Sequence, residues 1–166
     1  MNSASHDPLT GLANRVLFAE KLAAALSHSP GLVRVPDVGL LYIDLDHFKP
    51  VNDSYGHDAG DAILLTVADR LRDRVRPEDT VGRLGGDEFA VCAPRINAAQ
   101  LSALAECIDR ALAEPHWVQG HSVIVKGSIG VYLGAAGDAP AHALASADQA
   151  MYAIKNLRPQ RISSVG

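Results

Sequence analysis

Two acidic pairs carry the strongest chemical potential in this chain: Asp44-Leu45-Asp46 and Asp87-Glu88. The first closes a compact apolar run, Val38 to Leu45, with the length and composition of a buried strand. Side chains alternate faces along a strand, so Asp44 and Asp46 point the same way if the strand stays regular. Paired carboxylates at a strand end suit a hard cation such as magnesium, which takes oxygen ligands and keeps waters for exchange with phosphate. A charged strand end dipping into solvent is the plainer reading of the same residues. The second pair follows Gly85-Gly86, two residues without a Cβ that let a turn approach a bulky anionic ligand. If that turn lies beside the first strand, its carboxylate and Asp44 can share metal ions. Ions held this way activate a hydroxyl and offset charge on a transferring phosphoryl group. A hairpin with a polar rim accounts for the second pair as simply.

Between the pairs, Phe48 to Asp61 is rich in polar groups. Lys49 is a point charge suited to phosphate. Asn52 offers both a donor and an acceptor, as a purine edge requires, and Asp61 only accepts, which suits the N–H edge of guanine. A helix-capping and turn cluster would use the same residue types.

These groups need elements to position them. Asn14 predicts a cap, followed by a helix carrying Val16, Leu17, Leu22, Ala25 and Leu26 and ending before Ser29-Pro30-Gly31. After the first strand, Tyr55 to Asp61 breaks regular structure, and helical periodicity returns from Ala62 to Val75, stopped by Pro77. Thr80–Leu84 and Glu88–Ala93 read as two short strands joined by a tight hairpin at Gly85-Gly86. A helix over Ala98–Ala113, capped by Asn97, follows. Then come a strand region over Val123–Leu133 interrupted by Gly127 and Gly130, a helix over His142–Leu157, and a last short strand at Arg161–Val165. The expected fold is α+β or mixed α/β, one central sheet covered by helices.

The chain has 166 residues, 48% hydrophobic and 20% charged, a mix that builds one ordinary globular domain. Global disorder is excluded, and no apolar run is long enough to span a bilayer. The N-terminus lacks the basic and apolar segments of a secretory signal. Cys92 and Cys107 form no disulfide framework or zinc spacing. A soluble, cytoplasmic protein is expected, with no membrane contact. Net charge is −4, so nucleic acid is not an expected partner. Arg70, Arg72, Arg74 and Arg76 lie close together and read as a solvated helix face.

Taken in order, Asp7-Pro-Leu-Thr-Gly-Leu-Ala-Asn-Arg15, Asp44-Leu-Asp-His-Phe-Lys49, Asn52-Asp-Ser-Tyr-Gly-His57, Gly60-Asp61 and Arg83-Leu-Gly-Gly-Asp-Glu-Phe89 form a pattern. Gly127-Ser-Ile-Gly-Val131 and Ala147-Asp-Gln-Ala-Met-Tyr-Ala-Ile-Lys155 continue it. Together they resemble a GGDEF domain, the diguanylate cyclase family, over Asp7 to about Lys155. Residues 1–6 then form a short N-terminal segment and 7–166 a single catalytic domain.

The resemblance implies condensation of two GTP molecules into cyclic di-GMP with release of pyrophosphate. It implies a mostly antiparallel sheet wrapped by helices, similar to the nucleotidyl-cyclase and polymerase palm. Asp44, the Leu45 carbonyl, Asp87 and Glu88 would hold Mg2+ or Mn2+, with Asp87 also the base assisting removal of the 3′-hydroxyl proton. Asn52, Asp61 and His57 would line the guanine site. Lys49 and Lys155 would meet phosphates, and Gly85 and Gly86 would allow close backbone approach. Arg76-Pro-Glu-Asp79 resembles the family's product-binding inhibitory site, and Arg110 is a candidate to complete it. Family members commonly carry Gly-Arg after the helix lysine and two further residues. Here Arg158-Pro159 stands instead, leaving Arg158 or Arg161 as candidate phosphate contacts. The alternative to an active cyclase, which pairs two such domains in a transient homodimer, is a cyclic di-GMP receptor with little catalysis.

Overall fold

The structure, a computed structural model, describes residues 4–27 and 37–157. The turn at Ser29-Pro30-Gly31, the strand expected at Arg161–Val165 and the candidates Arg158 and Arg161 fall outside those residues.

The first helix, α1 (Arg15–Leu26), starts where Asn14 accepts a hydrogen bond from the Leu17 N–H at 3.0 Å. This satisfies one of the donors that a helix start leaves open. Phe18, Leu22 and Leu26, four residues apart, form its buried stripe. Ahead of it, Ala4 and Ser5 carbonyls accept bonds from the Asn14 side chain and N–H, so the segment before Asp7 is fastened to the helix start. Strand β1 (Val38–Leu45) is buried along nearly its whole length. It lies between β3 (Glu88–Pro94) and β6 (Gly127–Gly134), and β2 (Thr80–Gly85) pairs with β3 at one edge. The order is β2-β3-β1-β6, and every pair is antiparallel. Mixed α/β architecture around one antiparallel sheet is therefore as the sequence predicts.

Strand alternation sorts the core into two layers. Leu41, Ile43, Leu45, Phe89 and Val91 pack with Ile63, Leu64, Val67 and Leu71 of α3 (His57–Arg72) and with Leu101, Ile108 and Leu112 of α4 (Ala98–Leu112). Leu40, Tyr42, Ala90 and Cys92 pack with Phe18 and Leu22 of α1 and with Ala143, Ala147 and Met151 of α5 (Pro140–Leu157). Each large apolar side chain so buried contributes about 1.5–3 kcal/mol. Asn97 and Gln100 form a reciprocal capping box at the start of α4.

Several expectations are revised. The segment after β1 is a helix, α2 (Phe48–Tyr55), and α3 begins at His57, not Ala62; only Gly56, at φ 94°, interrupts them. The hairpin turn is Gly86-Asp87, because Gly85 still pairs with Glu88 after a bulge beyond Arg83. The region from Glu114 onward holds a two-stranded ribbon, β4 (His116–Val118) and β5 (His121–Val123), and β6 runs through Gly130 without interruption.

The four arginines are no free surface stripe. Arg70 donates to the carbonyls of Ala111, Glu114 and Pro115 at the end of α4. Arg72 binds the Thr10 carbonyl and Asp69, Arg74 lies 3.9 Å from Glu114, and Arg76 pairs with Asp79. The sequence shows charges three or four residues apart but not the carbonyls waiting across the fold. Among the described residues, no helix is long and apolar enough to cross a membrane.

Gly130 explains how α5 sits so close to the sheet. A Cβ there would lie 2.1 Å from the Ala147 carbonyl oxygen and 2.2 Å from the Met151 nitrogen, both rigid backbone atoms. Gly130→Ala is expected to lower folding stability by about 1–3 kcal/mol through overpacking, read as a lower urea midpoint at unchanged slope.

Candidate functional site

The end of β1 and the β2–β3 turn come together. Asp44 stands opposite Glu88 on one side and opposite Ser128 on the other. The Leu45 N–H donates to the Asp87 carbonyl at 3.1 Å, pinning the turn to the end of β1. Arg83 holds the other side of the turn, donating to the carbonyls of Gly85 and Gly86, while its guanidinium pairs with Asp7 at 3.2 Å. Asp7 is fixed by Thr10, whose N–H and hydroxyl both donate to it at 2.8 Å. Arg15 completes the frame by donating to the Leu84 carbonyl at 3.3 Å. The opening motif and the Gly-Gly motif are thus one assembly, although 76 positions separate Asp7 from Arg83.

The carboxylates at this end are crowded. Burial, and then the charge of Asp44, hold the Asp87 carboxyl above the usual carboxylate range; the Lys155 charge works against this. Lys155 reaches down from α5 to place its ammonium 2.5 Å from Asp44 Oδ2. Burial would lower the Lys155 pKa, but the bond to Asp44 and the charges of Asp44, Asp46 and Asp87 outweigh it and hold it above the ordinary value. Asp46 lies just past β1, its carboxylate accepting from Ser128 Oγ at 2.8 Å and its N–H bonded to the Lys126 carbonyl. Glu88 has a different neighbour: its Oε2 accepts from the Tyr42 hydroxyl at 3.0 Å. Burial and the Glu88 carboxylate push the Tyr42 phenol up to about 12.

Hard oxygen donors facing a cation already seated among them fit a divalent metal. Among the described residues, no group of three or more His, Cys, Asp or Glu side chains is placed to hold one. Of the ligands expected from the sequence, Asp44 and Asp87 meet here, while the Glu88 carboxylate is hydrogen-bonded to Tyr42.

A second cluster forms where α2 meets α3. The Asn52 side chain lies directly over Gly60, where a Cβ would come within 1.9 Å of its Oδ1. Its Nδ2 lies 3.2 Å from His57 Nδ1. Asp61 follows Gly60 on the exposed side of α3. The sequence-predicted trio of Asn52, His57 and Asp61 therefore sits at one helix junction. Gly60, part of the Gly60-Asp61 motif, makes room for Asn52. Lys49 is exposed on the first turn of α2.

Away from this end, Arg76 and Asp79 are paired with each other. The Arg76 N–H, Nε and guanidinium all bind the Asp79 carboxylate, at 2.8 to 3.2 Å, and the guanidinium also reaches the Pro94 carbonyl at 2.6 Å. The Asp79 side chain is 1% exposed. A cavity of about 190 Å³ beside them is lined by Arg74, Ile96, Gln100 and Leu104. Arg110 is not among its lining residues; it lies six positions past Leu104, roughly 9 Å further along α4. Arg74, which sequence spacing did not single out, is the basic side chain placed there.

Such a site on such a sheet matches one family. The family described as "Diguanylate cyclase, GGDEF domain" matches residues 4–161, and the chain belongs to it. Among curated relatives, the bifunctional diguanylate cyclase/cyclic di-GMP phosphodiesterase MucR of Pseudomonas aeruginosa is 40% identical over 154 residues, covering 92% of this chain and 22% of MucR. Diguanylate cyclase TpbB of the same species is 40% identical over 157 residues, covering 93% of this chain and 36% of TpbB. The chain thus spans about a fifth to a third of these relatives. The GGDEF domain of TpbB, solved alone, superposes with a TM-score of 0.82 at 38% identity over 91% of this chain and 88% of that one. The GGDEF domain of DgcB from Caulobacter crescentus, solved in complex with cyclic di-GMP, gives a TM-score of 0.84 at 29% identity over 92% and 91%.

The crowding of charge predicts opposite responses to two substitutions. Asp44→Asn removes the neighbouring negative charge and should lower the Asp87 pKa. Lys155→Met removes the compensating cation and should raise it. Carboxyl NMR titration of the metal-free chain reads both, and the same direction in both variants would contradict the proposed charge balance.

Proposed function

We propose that this domain is a diguanylate cyclase that condenses two GTP molecules into cyclic di-GMP and releases pyrophosphate. The observation that carries the reading is the meeting of Asp44 and Asp87 at one strand end, beside the helix junction that gathers Asn52, His57 and Asp61. The first group suits a metal-bound triphosphate and the second a guanine edge. Asp44, Asp87 and the Leu45 carbonyl would hold Mg2+ or Mn2+. The metal would neutralise the triphosphate and favour ionisation of the attacking hydroxyl. Glu88 supports this arrangement as the cross-strand neighbour of Asp44.

Within the chain itself, Asp87 takes the 3′-hydroxyl proton. A carboxylate within reach of the hydroxyl serves as its general base. Lys155 and Lys49 orient phosphates, and the bare Gly86, with nothing within 4 Å of a Cβ position, leaves room for them. One site takes one nucleotide while the product joins two, so two domains face each other about a two-fold axis, each presenting a 3′-hydroxyl to the other's α-phosphate. A reaction that consumes GTP is consistent with a cytoplasmic place of action.

Incubation with GTP and magnesium should yield a product with the mass of cyclic di-GMP. Asp87→Ala should abolish it while retaining the thermal melt of the parent. Failure of the parent chain to convert GTP, or brisk turnover by a folded Asp87→Ala variant, would refute the assignment. Binding of cyclic di-GMP without turnover would favour the receptor.

Product inhibition belongs to the same reading. Cyclic di-GMP binds at Arg76 and Asp79, with Arg74 as the further cation in place of Arg110. Arg76→Ala should weaken product binding roughly tenfold or more, as loss of a bidentate guanine contact does. Because Arg76 also neutralises the buried Asp79, Arg74→Ala is the companion variant and should weaken binding with that pair intact. Unchanged affinity in both, by titration calorimetry, would exclude the site.

A further inference from the structure

The β4–β5 ribbon takes no part in the chemistry above, yet it touches the helix that carries Asn52. We propose that Gln119, at the tip of the ribbon, is a positioning residue for guanine recognition: it holds the last turn of α2 and so sets where Asn52 sits. The inference rests on the assignment of Asn52 to the guanine site.

Helix α2 is held only lightly by its own packing. It has 8 residues and no side-chain cap at its start, and its apolar Phe48, Val51 and Tyr55 are only partly buried against the core. Isolated helices below about 12 residues are marginal even in good sequences. Its N-cap, His47, is in the left-handed region at φ 59°, and its C-cap, Gly56, lies at φ 94°. The chain tethers its start to β1. At its end, the Tyr55 carbonyl is one of the acceptors that a helix terminus leaves open. Gln119 Nε2 donates to that carbonyl at 2.8 Å. This bond ties the tip of the ribbon to the last turn of α2. The His121 ring stands 6.3 Å from the Tyr55 ring, tilted at 47°, and steadies the same turn.

That last turn runs from Asn52 to Tyr55, so whatever anchors Tyr55 anchors Asn52. The tolerance is small, because the Asn52 amide is pressed on Gly60 and bonded to His57.

The ribbon is stiff enough for the task. Gln119 and Gly120 have φ of 51° and 80°, the left-handed pair used by two-residue hairpin turns. The three cross-strand pairs are in register. One face of its first strand is buried: His116 and Val118 are each 4% exposed, and Arg70 Nη1 lies 3.3 Å from His116 Nε2. Burial, and then the Arg70 charge, push the His116 imidazole down to about 4, so the ring is neutral there at pH 7. Arg70 also gathers the carbonyls ending α4. The ribbon is a strut from the α3–α4 junction to the end of α2.

The test exploits the backbone at Gln119. A left-handed φ favours glycine, so Gln119→Gly relaxes the turn while deleting the donor. If Gln119 served only the turn of the ribbon, this variant would be neutral or better in every respect. The proposal expects a melting temperature equal to or above the parent, a KM for GTP raised about threefold to tenfold, as loss of one ordinary hydrogen bond implies, and kcat within twofold. The Kd for a non-hydrolysable GTP analogue should rise in parallel. Preference for GTP over inosine triphosphate, which lacks the guanine amino group, should narrow. Gln119→Lys restores a long-reaching donor and should recover most of the affinity. Unchanged KM and analogue affinity in Gln119→Gly, or a fall in kcat with KM unchanged, would overturn the inference. If the parent chain neither converts GTP nor binds the analogue, the guanine assignment itself fails, and the inference falls with it.

Discussion

Two carboxylates held at one strand end do not ionise independently, and the architecture of this domain is arranged around that constraint. Asp44 is delivered by the most buried strand of the sheet, and Asp87 by a turn pinned to the same strand through Leu45. Their repulsion acts to open the turn. It is opposed by Lys155 from α5 and by carbonyl contacts from Arg83 and Arg15, the former backed by Asp7. The reach of Lys155 depends in turn on how closely α5 lies on β6, which the missing Cβ of Gly130 permits. Stability and chemistry are therefore coupled. The cation that lets the metal-free fold tolerate its own acidic site occupies ground that a metal would otherwise neutralise.

What the sequence made legible follows from range. Local signals were reliable: Asn14 and Asn97 cap helices as their chemistry demands, and the apolar run at Val38–Leu45 is the central strand. The helix and strand periods place most of the core on its correct faces. Errors arise where a local preference meets a tertiary partner. Tyr55 to Asp61 has the composition of a loop, yet α3 starts within it because Asn52 packs on Gly60 and brings the two helices together. The ribbon has only three residues per strand, too few for alternation to register, and its turn is Gln-Gly rather than the strongly marked Asn-Gly. Gly130 reads as a strand interruption, although it is a contact surface for a helix backbone.

For the site, residue chemistry identified the ends of the argument but not the means of support. Asp44, Asp87, Asn52 and Asp61 could be singled out because carboxylates and amides at turn-like positions invite a functional explanation. The parts played by Arg74 and Gln119 could not, because each acts through a neighbour distant in sequence. The arginine stretch shows this most clearly. Charges at positions 70, 72, 74 and 76 look like one feature, yet they serve a helix C-terminus, an N-terminal loop, a glutamate and a buried aspartate.

That distribution of cations has a consequence for how any anion binds. Lys155 is already on Asp44 and Arg76 already on Asp79, the latter with a carboxylate almost fully withdrawn from water. Neither cation can be drawn to a phosphate or a guanine without leaving a carboxylate behind, and a buried carboxylate left alone costs several kcal/mol. A ligand at either place must exchange partners rather than add one. On the proposed reading, a metal-bound triphosphate would satisfy this at Asp44, with the carboxylate free to hold the metal and Lys155 free to meet a phosphate. A guanine would satisfy it at Asp79 in another way: its N–H groups would donate to the carboxylate while its acceptor edge took the arginine. A bare anion offers neither exchange. On the proposed reading, discrimination against simple phosphate at both places would then come from ion pairs formed before any ligand arrives.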